Sequence, residues 1–510
     1  MLFFAEMWER FSYYGMRALL VLYLTKHWLF SDEDASMVYG AYTALVYITP
    51  VIGGYLADKY LGQRKAVLYG AVLLTVGHFL MGFEGDGGGD SPAMNAFWLA
   101  LAFIIVGSGF LKANISVMVG QLYPRTDVRR DGAYTIFYMG INLGALLGSL
   151  LCGYLGETYG WKYGFGAAGF GMLLGLIVFV IGKPLLRGHG ESTAPDQLRE
   201  RKIGIPFEWL LYGFGILIVI ACWWMVQNQD VVGWALGIAG LLLLAYVGHA
   251  AYTRLDRDAR HRIFAAVILM IGSVLFWALF EQAGSSLNLY TDRFVNRDMF
   301  GWEVPASMFQ AINAGYIILL APMFAWLWTT LGQRGLEPSA PAKFGLGIIQ
   351  LGAGFLVLVA GASAVAGGAT PVLFIFLIYL LHTTGELCLS PVGLSAMNRL
   401  APSHMASLIM GSWFFASATG NYVAGMIAAA TGSEAASGSD AAQDVVLDVY
   451  STIGWIAVAV GVGFLLISPL IKKLMHLDTL KDDDHVLAGE AELAEPQAAG
   501  TRTDGERKRD

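Results

Sequence analysis

The 510-residue sequence predicts an all-α polytopic membrane protein, with two six-helix bundles flanking a two-helix insert and fourteen transmembrane helices in total. Three observations predict it. The composition is too apolar for a soluble chain. Apolar runs long enough to cross a bilayer follow one another along the whole sequence. A short motif recurs at matching helix ends.

Hydrophobic residues make up 56% of the chain and charged residues 14%, with a mean hydropathy of +0.57. A soluble chain carries about 25% charged residues. The 63 glycines and 13% aromatics fit membrane helices, which tolerate Gly and gather Trp and Tyr at their ends. The net charge of −7 says little, because the terminal stretch "KDDDHVLAGEAELAEPQAAGTRTDGERKRD" contributes strongly to it. That stretch lacks apolar periodicity and is expected to be a disordered tail. Cys152, Cys222 and Cys388 lie far apart in apolar runs, with no CxxC pair and no disulfide framework. No HExxH, P-loop or GxGxxG motif stands in a strand–helix context, so neither a cofactor nor nucleic acid is expected. No cleavable signal peptide is expected, because the first segment carries acidic residues and no small-residue cleavage site.

A spanning helix needs about 20 apolar residues. Candidates run near 3–29, 36–57, 65–84, 94–122, 132–156, 162–183, 206–226, 230–252, 261–290, 306–331, 341–366, 370–398, 403–431 and 446–473. Lys and Arg set the topology. The even joins carry "DKYLGQRK", "YPRTDVRR", "KPLLRGHGESTAPDQLRERK", "TRLDRDARHR", "GQRGLEPSAPAK" and "MNRLAPSH", whereas the odd joins include "SDED", "EGDGGGDSP" and "QNQD". Both termini are therefore expected in the cytoplasm. One odd join, "TDRFVNRDMFGWE", breaks the pattern with Arg293 and Arg297 beside Asp292 and Asp298.

Leu61-Gly62-Gln63-Arg64 follows the second helix, and Leu331-Gly332-Gln333-Arg334 follows the tenth. If the two copies correspond, the second half begins at the ninth helix. The expected division is a six-helix bundle over 1–184, an inserted helix pair with its linkers over 185–258, a second bundle over 259–474 and the tail over 475–510. Parallel six-helix repeats are the architecture of major facilitator transporters, whose substrate lies near the midplane between the halves.

The charges then become legible. Glu6, Glu9, Arg10, Tyr13, Tyr14 and Arg17 fall at i, i+3, i+4, i+7, i+8 and i+11, one stripe of the first helix. Lys112 lies deep in the fourth helix, Glu281 in the ninth and Glu386 in the twelfth. An ionised group at mid-bilayer costs roughly 2.5–3.5 kcal/mol on insertion scales, so seven together would cost on the order of 20 kcal/mol. That exceeds a typical net stability of about 5–15 kcal/mol. These side chains must line an aqueous cavity, pair with one another, or be neutral part of the time. An interhelical salt-bridge lock without a ligand is the structural alternative.

The signs also divide. Arg17 and Lys112 are cationic and belong to the N-terminal half; Glu281 and Glu386 are anionic and belong to the C-terminal half. A zwitterion bridging the halves would present its carboxylate to the first pair and its ammonium to the second. Asn142 and Asn313 are placed to bond amide groups, and Tyr13, Tyr14, Tyr47, Trp277 and Trp413 to form side-chain pockets.

Several segments resemble one family. "EMWERFSYYG" is similar to the ExxERFxYYG signature of the proton-dependent oligopeptide transporters of the major facilitator superfamily, and "FYMGINLGALLGSL" resembles their fifth-helix FYxxINxG signature. "GYLADKYLGQRK" resembles the general major-facilitator loop motif, and "GSGFLKANIS", "FWALFEQAGSS" and "TTGELCLSPVGLS" also look like family segments. The inserted pair and short outer loops resemble prokaryotic members. The resemblance implies proton-coupled symport of di- and tripeptides by a multi-pass protein of the prokaryotic inner membrane, functional as a monomer in the lipid bilayer, with protons as the coupling ion. It implies proton-coupling roles for Glu6, Glu9, Arg10, Lys112 and Glu281. It places Arg17 and Lys112 near the peptide carboxylate, and Asn142, Asn313 and Glu386 near the amino end. Ala113 departs from the family pattern, in which proline often follows the lysine. Relatives usually carry a short basic lead before the first signature, so the true start is expected to be trimmed or to lie upstream.

Other readings predict other residues. A drug/proton antiporter would lack opposed carboxylate- and ammonium-binding ends. A nitrate or small-anion porter would lack the ExxER cluster. A nutrient receptor would bind without transporting. An intramembrane protease would need a GxGD, HExxH or GxSG motif in a helix.

Overall fold

The computed structural model describes residues 1–88, 91–123, 129–365, 368–402, 405–432 and 440–477. The expected tail beyond 477 lies outside them. Fourteen long helices account for most of the described residues. The first six are α1 (Leu2–Lys26), α2 (Asp32–Leu56), α3 (Gln63–Met81), α4 (Met94–Gln121), α5 (Arg130–Tyr159) and α6 (Trp161–Ile181). The insert is α7 (Phe207–Gln227) and α8 (Gln229–Arg254). The last six are α9 (Arg257–Phe280), α10 (Ala311–Gln333), α11 (Ala340–Ser363), α12 (Val372–Leu400), α13 (Ala406–Gly432) and α14 (Asp440–Leu474). Twelve of the spans are long and apolar enough to cross a membrane by length and composition. α1, which carries the charged stripe, and α13 are as long but are not among the twelve.

Local chemistry explains the ends. Ser31 caps α2 by accepting from the Asp34 amide at 3.0 Å, and Asp32, Glu33 and Asp34 place negative charge at the helix N-terminus. Asp256 caps α9 the same way, accepting from the Ala259 amide at 2.8 Å. A π-helical turn, Ala57–Leu61, follows α2 and ends at Gly62, whose φ of +76° favours glycine. There the chain turns into α3 against the linker after α6: the Arg64 amide donates to the Gly190 carbonyl at 2.8 Å.

In the first half, α1 packs on α5 and α6, α3 on α4 and α6, and α2 on α4; in the second, α11 packs on α12 and α14, and α9 on α13. The buried apolar side chains form two clusters. One is built chiefly from Leu2 to Leu236 and the other from Val247 to Met475. The halves meet along α2–α13 and α5–α10. At the first of these seams Gly40 lies so close to Gly425 that a Cβ on it would meet the Gly425 Cα at 2.7 Å. Glycines on both sides let the two backbones touch.

The insert packs its α7 on α4 and its α8 on α13. Only 17% of the apolar window of α8 is buried, and Trp209, Leu217, Trp224, Trp234, Leu241 and Leu242 are exposed. Large apolar side chains left outward on such helices meet hydrocarbon in a bilayer. Cys152, Cys222 and Cys388 are buried and free.

Candidate functional site

A cavity of about 240 Å³ lies between the two halves. Of the residues singled out in the sequence, Glu6, Arg10, Tyr14, Arg17, Tyr47, Lys112 and Asn142 line it from the first half, and Trp277, Glu281, Asn313, Glu386 and Trp413 from the second. Glu9 and Tyr13 do not. At about 100° per residue, the Glu6–Arg17–Arg10–Tyr14 row spans about 80° of the helix, and Glu9 and Tyr13 fall about 60° and about 20° beyond its Glu6 edge. They face the protein interior, and Glu9 is 0% exposed.

The Arg10 guanidinium gathers both acids of the stripe: its Nε lies 2.7 Å from Glu6 Oε1 and 3.1 Å from Glu9 Oε2. Neither Glu9 oxygen has a hydrogen-bond partner among the described residues, so Glu9 is held by charge rather than by directed bonds. Seven residues further along α1, Arg17 donates to Tyr39 of α2 and to Glu281 just after α9. The Lys112 ammonium lies over the Tyr47 ring, 4.2 Å from its centroid, a cation–π contact that holds the charge on the first-half wall. On the opposite wall, Asn313 Nδ2 donates to Glu386 Oε2 at 2.9 Å and to Thr383 Oγ1 at 3.0 Å. Asn142 turns its Nδ2 back to the Tyr138 carbonyl at 3.2 Å. The cavity therefore has a cationic wall from the first half and an acceptor-bearing wall from the second.

One end of the cavity is sealed. Beyond Arg17–Glu281, Lys26 Nζ reaches Asp292 Oδ1 at 2.7 Å, and the Arg293 guanidinium grips the Asp32 carboxylate with two nitrogens, one at 2.7 Å. Asn288 and Gln310 both donate to the Ala18 carbonyl, at 2.9 and 3.2 Å. These contacts tie the α1 and α2 ends to the segment after α9 (Glu281–Gly284 and Ser286–Phe294). The ion pairs Arg17–Glu281, Lys26–Asp292 and Arg293–Asp32 join the halves between the cavity and this end. The basic residues that broke the charge pattern are accounted for here: Arg293 closes on Asp32, and Arg297 lies 2.9 Å from Glu303. Their charges are taken up by these pairings.

Several lining residues escaped the sequence reading. Tyr138 stands one turn before Asn142, Tyr379 seven residues before Glu386, and Gln310 three before Asn313. Helical spacing from a known lining residue was the available signal. Tyr39 does not line the cavity but fixes Arg17, and it sits eight residues before Tyr47 on the same face of α2.

A model of the POT family matches residues 64–445. The chain belongs to the POT family. Among its relatives, the uncharacterized transporter YclF of Bacillus subtilis is 37% identical over 484 residues, spanning 93% of this chain and 94% of that protein. The peptide transporter YePEPT of Yersinia enterocolitica is 38% identical over 448 residues, spanning 84% and 86%. Dipeptide and tripeptide permease B of Salmonella typhimurium is 32% identical over 93% of this chain and 95% of its own. A crystal structure of the peptide transporter POT, a mutant in complex with alafosfalin, matches with a TM-score of 0.80 at 34% identity and covers 93% of this chain and 95% of that one. In this POT chain the two signature segments sit on α1 and α5, which pack on each other. The signatures thus describe one wall of the cavity twice over.

Proposed function

We propose that this chain is a proton-coupled symporter that imports di- and tripeptides by alternating access. The observation that carries the reading is the division of charge across the cavity. Arg17 and Lys112 stand on the first-half wall, and Glu386, held by Asn313, on the second. A peptide is a zwitterion with amides between its ends. Its carboxylate matches the cationic wall and its ammonium the carboxylate of Glu386, each a charge-assisted hydrogen bond. Tyr14, Tyr47, Trp277 and Trp413 leave apolar and aromatic surface for side chains.

Proton coupling follows from which carboxylates the cations already hold. With the outer end closed, Arg17 is engaged by Glu281 and Arg10 by Glu6 and Glu9. A proton on Glu281 removes the charge that holds Arg17, so the guanidinium becomes available to a peptide carboxylate and the closed end loosens. A proton on Glu9 or Glu6 does the same for Arg10 and the neighbouring Lys112. Loss of that proton on the inner side restores the internal pairs and expels the peptide. The membrane potential contributes about 2.3 kcal/mol per charge per 100 mV to the inward proton step.

The bundles at 1–184 and 259–474 are the moving bodies, the pair within 185–258 is a lipid-facing brace, and 475–510 is a tail. The protein works as a monomer in the prokaryotic inner membrane with both termini in the cytoplasm, consistent with the basic even joins. No cofactor is needed beyond the coupling proton. Counterflow of labelled dialanine in proteoliposomes tests the substrate assignment. Exchange against internal dialanine, competed by tripeptides and not by alanine or nitrate, is expected; competition by nitrate alone would move the chain to a small-anion porter.

A further inference from the structure

Away from the cavity, at the end of the second bundle where α9 begins and α14 finishes, two histidines and a carboxylate converge. His261 Nδ1 and His476 Nε2 lie 3.0 Å apart, from residues 215 positions apart in the chain. Asp258 Oδ1 is 3.9 Å from His476 Nε2, and the three donor atoms all lie within 4.8 Å of one another. All three residues are half-buried. None of them touches the transport machinery described above.

We propose that Asp258, His261 and His476 form a divalent transition-metal site, of the zinc class, that fastens the first helix of the second bundle to its last. Two imidazole nitrogens and one carboxylate oxygen are ligands that suit zinc, and three protein ligands leave a fourth position for water. Tetrahedral bonds of about 2.0–2.1 Å place ligand atoms about 3.3 Å apart. The 3.0 and 3.9 Å separations to His476 Nε2 bracket that spacing, and the third lies within 4.8 Å, so side-chain rotations would have to draw the set together on the metal.

The local backbone supports the arrangement. Asp258 and His261 are three residues apart in the first turn of α9, which puts both side chains on one face. His476 follows the last turn of α14 with φ +43°, a left-handed conformation uncommon outside glycine. That turn brings the His476 ring beside His261, with the ring planes 16° apart. Arg260, beside His261 on α9, is turned to the Tyr252 ring at 4.8 Å and the Leu255 carbonyl at 3.5 Å.

The test is zinc binding to the full-length protein in detergent micelles, read by calorimetry and by thermal unfolding. Wild type should bind one zinc per chain with a rise in melting temperature. His261→Ala and His476→Ala should each weaken binding at least about tenfold and lose the rise, while His476→Cys should keep both. His485→Ala, in the acidic "DDDH" of the tail, should leave both unchanged. If wild type binds no zinc, or if zinc binds equally to both alanine variants and is lost in His485→Ala, the proposal is wrong. Equal melting temperatures of the metal-free proteins confirm that the variants fold, and dialanine counterflow should be unaltered in all of them.

Discussion

Arg17 of α1 and Glu281 at the end of α9 are 264 residues apart in the chain, yet they form a buried ion pair across the two halves. Both side chains are almost fully excluded from solvent. Breaking such a pair by neutralising one partner costs about 3–5 kcal/mol in the state that contains it. Glu281→Gln should therefore disfavour the state sealed at this end. Spin labels at the exposed positions Leu29 and Phe300, one on each half near this gate, should report a longer mean separation in the variant. An unchanged separation would mean that the pair does not hold the gate.

Glu9 lies off the cavity but within 3.1 Å of the Arg10 guanidinium. A residue that acts through protonation and not through peptide contact should separate two activities. Glu9→Gln should abolish proton-driven accumulation of dialanine and spare counterflow. Equal loss of both would indicate a folding or binding defect.

Glu386 is held by Asn313 at 2.9 Å and is assigned to the peptide amino end. A charge-assisted hydrogen bond contributes about 1.5–3 kcal/mol, so Glu386→Gln should weaken dialanine binding roughly tenfold or more. N-acetylated dialanine, which lacks the ammonium, should bind poorly to wild type and lose little further in the variant. A uniform loss for both ligands would place the amino end elsewhere.

The linker after α6 is clamped to the start of α3 by Arg64 and Glu191, with Nε–Oε1 and Nη2–Oε2 separations of 2.6 and 3.0 Å. The hydrogen bonds from Arg64 hold the Glu191 carboxyl below the ordinary glutamate range. A depressed acid favours the folded contact above its unfolded pKa, and the contribution is lost as the pH falls through the depressed value. The pair is largely exposed, so solvent screening keeps the effect small. A spin label at Gln197 on the short helix Pro195–Arg199 should be immobile at neutral pH and gain mobility only below the glutamate range. Glu191→Gln should show that mobility at neutral pH. A label equally mobile at both pH values would remove the clamp.

Much of this was legible in the sequence because a bilayer imposes two simple demands. Spans must be long and apolar, and a charge within them must have a reason. Those demands located α2 to α12 closely and picked out Lys112, Glu281 and Glu386. The helical stripe on α1 was legible as a set, but six residues spaced over three turns cover more than one face, and only the structure divides Glu6, Arg10, Tyr14 and Arg17 from Glu9 and Tyr13. Tyr39 was not legible, since nothing local to α2 says that its hydroxyl meets a guanidinium on α1. The gate pairs Asp32–Arg293 and Lys26–Asp292 join distant loops. Sequence alone reads their charges as topology signals, because pairing across 261 and 266 residues leaves no local pattern.

The central claim is that peptide and proton move together. The most direct test is the internal pH of proteoliposomes, read by a trapped fluorescent indicator, when dialanine is added outside with no imposed pH gradient and the potential clamped. The account predicts that dialanine acidifies the lumen in wild type, that alanine does not, and that Glu9→Gln abolishes the signal. Entry of labelled dialanine with no acidification would contradict it.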